Sequence, residues 1–315
     1  MSIITQAAKR LEELRRGGIQ VPWEAAGLSE AQFIDLLGKA EKTPAEVVAP
    51  AAEVHHLPRD GGRQTAAPRE PSRRSDVVEI DLARLANEGY LAPDLVRSAL
   101  AMEFRQIKRP LLRNAAARAE GQGRNALIMV TSGMPGEGKT FSAINLAMSM
   151  AMEVDTSVLL IDADVIQPSV FGRLGLTERA GLLDVLTDPK TDLADVIVRT
   201  NVPKLSLLPA GTSNAMATEL LASATMDRLL VELAERYSDR IIILDSPPLL
   251  ITTESRVLAS RVGQVLVVVD AVTSGVAEVS DTFRLLENCP LVMSVLNKCP
   301  DLVHKRSYDY RYGYR

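Results

Sequence analysis

Residues 126–140 read A-L-I-M-V-T-S-G-M-P-G-E-G-K-T. Ala126 to Thr131 is an apolar run closing on a small polar residue, the pattern of a buried strand. Gly133-Met-Pro-Gly136-Glu-Gly138-Lys139-Thr140 fits G-x-x-x-x-G-K-[ST]. Phe141 to Met152 follows with helical spacing. A strand, a glycine-rich loop and a helix N-terminus in that order make a phosphate cradle. The glycines let backbone N–H groups turn toward anionic oxygens, and the helix dipole adds to the attraction. Lys139 is then placed to reach the β- and γ-phosphates, and the Thr140 hydroxyl to hold Mg²⁺. Gly133, Gly136, Glu137, Gly138, Lys139, Thr140 and Phe141 are the candidate nucleotide-binding residues of this loop.

Around the loop, strands and helices alternate. Ser157–Ile161, Leu205–Leu208, Arg240–Leu244, Gln264–Val269 and Leu291–Leu296 are apolar strands, and 226–237 and 276–287 read as helices. The strands are continuously apolar, as in a mostly parallel sheet covered by helices on both faces. The expected fold is therefore an α/β P-loop NTPase. Ligands of such sheets sit at the C-terminal strand ends. There the chain carries Asp162-Ala-Asp164, Asp245-Ser-Pro-Pro and Asn297-Lys298. Asp245 after Ile-Ile-Ile-Leu is a Walker B pattern, a carboxylate for Mg²⁺. Asp162 and Asp164, two apart on an extended segment, point the same way and can supply a metal ligand and a base. The Asn297 amide, donor and acceptor together, suits a purine edge. Catalytic candidates are Lys139, Asp162, Asp164 and Asp245; metal candidates are Thr140, Asp164 and Asp245.

The organisation outside this region is simpler. Ile3, Ile4, Ala7, Leu11 and Leu14 recur at helical spacing, and Ser29 to Gln32 resembles a capping box ahead of Phe33. Residues 1–40 are thus a short helical segment. Residues 41–75, with five prolines and few large apolar residues, read as a disordered linker. The remainder, 76–304, is the folded P-loop domain. A helix opens at Pro93-Asp94 and runs to about Arg109, where Pro110 should kink or restart it. A net charge of −4 gives no basic balance pointing to nucleic acid. No apolar run approaches the roughly 20 residues that span a bilayer. The two cysteines form no disulfide framework, and a reducing cytoplasm is the simplest reading.

Four of the six tyrosines, Tyr308, Tyr310, Tyr312 and Tyr314, lie in the last eight residues. Residues 305–315 carry four basic side chains and one aspartate, a formal +3 before the terminal carboxylate. This tail lacks anchoring aliphatic residues, so mobility is expected.

The loop, the stretch Leu-Leu-Ile-Asp-Ala-Asp-Val-Ile-Gln-Pro-Ser-Val, Asp-Ser-Pro-Pro and the terminal tyrosine cluster together resemble the bacterial protein-tyrosine kinases, autokinases of exopolysaccharide loci. Glu-Phe-Arg-Gln-Ile-Lys-Arg-Pro-Leu-Leu-Arg-Asn-Ala and Thr-Glu-Leu-Leu-Ala-Ser are similar to the subgroup found with exosortase loci. The likeness spans about residues 90–315. It implies ATP and Mg²⁺ bound by Lys139 and Thr140, Asp164 as the metal ligand, Asp162 as the base and Asp245 as Walker B. It implies that the four tail tyrosines are phosphorylated in trans within a ring. The ring contact falls on the helix around Glu103–Arg109, although Glu103, Arg105, Lys108 and Arg109 depart from the family's Glu-x-x-Arg-x-x-Arg spacing. Ile166-Gln167 stand where the family commonly shows basic residues. The family also implies a separate membrane-embedded polysaccharide co-polymerase as activator, which places the chain in the cytoplasm, peripheral at the inner membrane. The alternatives are a partitioning or cell-division ATPase and a nucleotide-gated scaffold without catalysis. Partitioning ATPases carry an extra lysine after the first loop glycine, where this chain has Met134.

Overall fold

Strands that are apolar on both faces need helices on both sides, and the computed structural model has that form. It describes residues 77–93, 95, 97–116, 123–237 and 239–300. The expected helical segment 1–40, linker 41–75 and tail 305–315 lie outside the described residues. The elements in order are β1 (Val77–Val78), α1 (Leu82–Asn87), α2 (Ala99–Ala116), β2 (Leu127–Ser132), α3 (Lys139–Ala151), β3 (Ser157–Asp162), α4 (Val170–Leu174), α5 (Leu182–Thr187) and α6 (Leu193–Val196). There follow β4 (Val198–Thr200), β5 (Leu205–Leu208), α7 (Ala217–Leu221), α8 (Ala224–Arg236), β6 (Arg240–Asp245), α9 (Thr253–Ala259), β7 (Gln264–Asp270), α10 (Val276–Arg284) and β8 (Val292–Asn297).

The sheet order is β1-β4-β5-β3-β6-β2-β7-β8. All pairings are parallel except β4 with β5. Alternation along each strand feeds two cores. Ile128, Val130, Leu160 and Ile243 face α2 and α3, while Leu127, Met129, Ile161 and Leu244 face α5, α7 and α8. Two consequences place the site. The loop after β2 emerges at mid-sheet, between β6 and β7. On the adjacent strands β3 and β6, the register pairs Asp162 with Asp245.

Two expectations need correction, and two strands went unforeseen. The helix expected from Pro93 starts at Ala99, where the Ser98 hydroxyl accepts from the Ala101 N–H at 3.1 Å. Ser98 is a better N-cap than the Pro-Asp pair because its oxygen satisfies one of the free first-turn donors. Pro110 does not restart the helix, which runs through it without a break to Ala116. An interior proline costs about 3 kcal/mol. Burying Phe104 and Leu111 on this helix face, at roughly 1.5–3 kcal/mol each, offsets that. Finally, β1 and β4, two and three residues long, were not legible as strands. They are held to the sheet by partners from elsewhere: the Asn201 side chain bonds both the N–H and the C=O of Ile80, each at 3.0 Å.

Candidate active site

The loop between β2 and α3 turns on two residues in left-handed backbone, Gly136 (φ 85°) and Gly138 (φ 102°). At Gly138 space is as restrictive as backbone, since a Cβ would lie 2.1 Å from Asn297 Nδ2. That amide donates to the Glu137 carbonyl at 2.9 Å. Beside it, Lys298 Nζ donates to the Gly136 carbonyl at 2.7 Å and to Asp270 Oδ2 at 2.8 Å. The pairing with Lys298 holds the Asp270 carboxyl well below the usual carboxylate range. The ends of β7 and β8 therefore brace the loop from outside. From below, Glu137 accepts from the Met134 N–H at 2.8 Å and from the Ser274 hydroxyl.

A cavity of about 800 Å³ opens over the loop. Gly136, Gly138, Lys139, Thr140, Phe141 and Asn297 are on its wall, and so is Asp164. Gly133 and Glu137 are not among its lining residues. Gly133 faces α10, where a Cβ would meet Thr282 Oγ1 at 2.5 Å, and Glu137 is buried. These two shape the loop rather than present groups to a ligand. The sequence singled out neither Arg173 nor Lys298 as a site residue, yet both are on the wall.

The three aspartates differ sharply in surroundings. Asp164 Oδ2 pairs with Lys139 Nζ at 2.6 Å, and its Oδ1 accepts from the Gln167 N–H at 3.2 Å. Asp162 is wholly buried. Its Oδ2 accepts from the N–H groups of Ser169 and Val170, both at 2.9 Å, and its Oδ1 from that of Asp164 at 3.3 Å. The expected base is thus occupied in holding the start of α4, because the chain folds back over it after Pro168. Asp164 is the carboxylate that reaches the cavity. Asp245 is also wholly buried; the Thr140 hydroxyl is near enough to pull its carboxyl down but is paired with Ser169 Oγ, and neither carboxylate oxygen has a hydrogen-bond partner of full geometry. Burial, then the neighbouring Asp245, pushes the Asp162 carboxyl up to about 8. Burial pushes Asp245 up to about 6, with Lys139 pulling the other way.

A buried carboxylate with two free oxygens, at a loop whose Thr140 hydroxyl sits 3.1 Å from Ser169 Oγ, fits the donor set of a hard cation. Among the described residues no three His, Cys, Asp or Glu side chains converge as a cage. Mg²⁺ is a cation of that kind: it keeps several waters and takes one or two carboxylates plus substrate phosphates.

Comparison with known proteins agrees with this geometry. Residues 126–293 match the AAA domain family model. The chain is 30% identical over 222 residues to the putative tyrosine-protein kinase CapB of Staphylococcus aureus, covering 70% of this chain and 93% of CapB. The chain belongs to the bacterial tyrosine-protein kinase family. It is also 30% identical to the putative tyrosine-protein kinase EpsB of Ralstonia nicotianae over 64% of this chain, but spans only 27% of that relative's length. Among solved structures, the kinase domain of VpsO superposes with a TM-score of 0.51 at 30% identity, covering 62% of this chain and 99% of that domain. The BceF tyrosine kinase domain gives 0.55 at 26%, covering 70% and 91%. As in the sequence reading, this family member has a mostly parallel sheet around a P-loop. Among the described residues, no helix is long and apolar enough to cross a membrane.

Proposed function

We propose that this chain is an ATP-dependent protein-tyrosine kinase that phosphorylates Tyr308, Tyr310, Tyr312 and Tyr314 of a neighbouring copy. The observation that carries the reading is the buried, unpartnered Asp245 carboxylate beneath a P-loop cavity whose wall presents Lys139, Thr140 and Asp164. The relatives' names supply the acceptor class, and the tyrosine tail supplies the acceptor. Backbone N–H groups of the loop and Lys139 hold the β- and γ-phosphates. Thr140 and Asp245 would hold Mg²⁺, which when bound neutralises charge on the phosphate oxygens. The tyrosine oxygen forms its bond to the γ-phosphorus as the bond to the β-bridging oxygen breaks and ADP leaves. The phenolic proton passes to Asp164, the carboxylate within reach, and not to Asp162. Tethering keeps the tail's local concentration high.

The same reading assigns the exposed face of α2 to the contact between copies in a ring. Met102, Gln106, Arg109 and Arg113 are outside on that helix, whereas Lys108 is turned inward. It also calls for a separate membrane-embedded polysaccharide co-polymerase, a cytoplasmic location at the inner membrane, and control of exopolysaccharide synthesis or export as the output.

The test is intact-mass measurement of the purified chain after incubation with Mg·ATP, beside Lys139→Met and a chain ending at Arg306. Mass gains of whole phosphates on the tail tyrosines, absent in both controls, are expected. ATP turnover without mass gain, with or without added activator segments, would overturn the kinase reading in favour of an ATPase or scaffold.

A further inference from the structure

Three cations line the cavity: Lys139, Arg173 and Lys298. Two are engaged with carboxylates, Lys139 with Asp164 and Lys298 with Asp270. Arg173 has no carboxylate partner among the described residues. Its guanidinium makes one hydrogen bond, to the Tyr90 hydroxyl at 3.3 Å, and the residue is exposed to the cavity.

Its backbone, by contrast, is held at several points. Asp162 fastens the N–H groups of Ser169 and Val170 at the start of α4, and Ser169 Oγ meets the Thr140 hydroxyl of the P-loop. Gly175, at φ 74°, ends α4. Arg84 donates to the Arg173 carbonyl at 2.7 Å. Tyr90 is itself fixed: it is buried, and its ring centroid lies 5.1 Å from that of Phe141 in the first turn after the loop. The next residue, Leu91, donates its N–H to Asn145 Oδ1 of α3 at 2.7 Å. A free planar head on a fixed base, beside the P-loop lysine, suits an anion arriving in the cavity.

We propose that Arg173 is the cation that meets the γ-phosphoryl group of bound ATP, and that Tyr90 positions it. Phosphoryl transfer spreads charge over three equatorial oxygens, and enzymes of this chemistry gain most from fixed positive groups aimed there. Lys139 alone is one point charge already shared with Asp164, whereas a guanidinium can bond two of those oxygens at once. Arg173 lines the same cavity as Lys139, Thr140 and Asp164, and the Ser169 hydroxyl at the start of its helix meets the Thr140 hydroxyl at 3.1 Å. Arg173 lies inside the family match, but Tyr90, before residue 126, is supplied from outside it.

The proposal rests on the kinase reading, and the test separates the two. Fluorescent ATP and ADP analogues are titrated with Mg²⁺ into the full-length chain, and tail phosphorylation is timed in a single turnover. Arg173→Gln is expected to slow phosphorylation by about 10³-fold. It should cut the preference for ATP over ADP about tenfold and leave ADP affinity within about twofold. Arg173→Lys should recover roughly a tenth of the parent rate, as a point charge without the fork. Tyr90→Phe, which keeps the ring on Phe141, should lose about threefold in rate with ADP affinity unchanged. Thermal melts of each variant check folding. Phosphorylation by Arg173→Gln within about threefold of the parent, or equal loss of ATP and ADP affinity, would overturn the proposal. If the parent itself leaves its tail unmodified, the kinase reading falls. The ATP-to-ADP preference and ATP turnover would then still decide the role of Arg173.

Discussion

Asp245 shows most directly what a single residue costs and returns. Its carboxyl is raised from 3.8 to about 6, so its charge is unfavourable in the fold before a cation arrives. The stability tied to the protonated form is complete below pH 3.8 and is lost as the pH rises through about 6. Asp245→Asn should therefore melt higher than the parent at pH 8, with the gap closing toward pH 4, and should not phosphorylate the tail. Melts of both proteins across that range, without nucleotide or metal, check the sign. A gap that widens as pH falls would contradict it. Gly138→Ala acts in the opposite sense. It places a side chain at φ 102° and drives a Cβ into Asn297. The strain alone costs about 1–3 kcal/mol, and nucleotide affinity measured by fluorescence titration should fall at least about tenfold.

At the scale of elements, the sequence was most legible where the information is local. The P-loop motif, the continuous apolar strands and the aspartates that end them each depend on residues close in the chain, and all three lie where the spacing put them. What escaped notice depends on contacts from far away. Asp162 looks like a free base until the segment after Pro168 folds back onto it. Arg173 belongs to no motif and gains meaning only from Tyr90, 83 positions earlier. Lys108 stands in the sequence among the charged residues of the helix that the resemblance assigns to the ring contact. It is 4% exposed, donating to the Ser149 carbonyl at 2.5 Å and pairing with Glu153 at 2.7 Å. It thereby caps the C-terminal end of α3, where free carbonyls welcome a cation. Lys108→Met keeps the stem and removes the donor. It should lower stability by about 1–3 kcal/mol without changing assembly size, since the ammonium faces α3 and not a neighbour. Denaturant melts and light scattering together decide this. Pro110→Ala should do the reverse. It restores a helical donor, and the melt should rise by about 1–2 kcal/mol after allowing for the lost stiffness of the unfolded chain.

For the whole molecule, the governing quantity is the charge of the tail relative to the site it must enter. At a formal +3, residues 305–315 suit a site that has Asp164 on its wall and, on the proposed reading, the phosphates of ATP when loaded. Each phosphotyrosine adds close to two negative charges, and full modification takes the tail to about −5. A tail that has served as substrate is then repelled from the site it left, and a ring held partly by such insertions should loosen. Assembly size measured before and after phosphatase treatment tests this, with the larger species expected after treatment. Identical sizes in both states would rule it out.

The bracing of the P-loop by Asn297 and Lys298 has a practical bearing on how this protein can be dissected. The family match ends at residue 293, a natural place to trim the chain, and the proposed acceptor tyrosines begin at residue 308. A version cut at the family boundary would lose its substrate and, unseen, two of the supports that hold its catalytic loop in shape. Its silence would say nothing about which loss mattered. On the proposed reading, a cut made after Lys298 yields an enzyme without its own substrate, able to be offered the tail as a separate peptide.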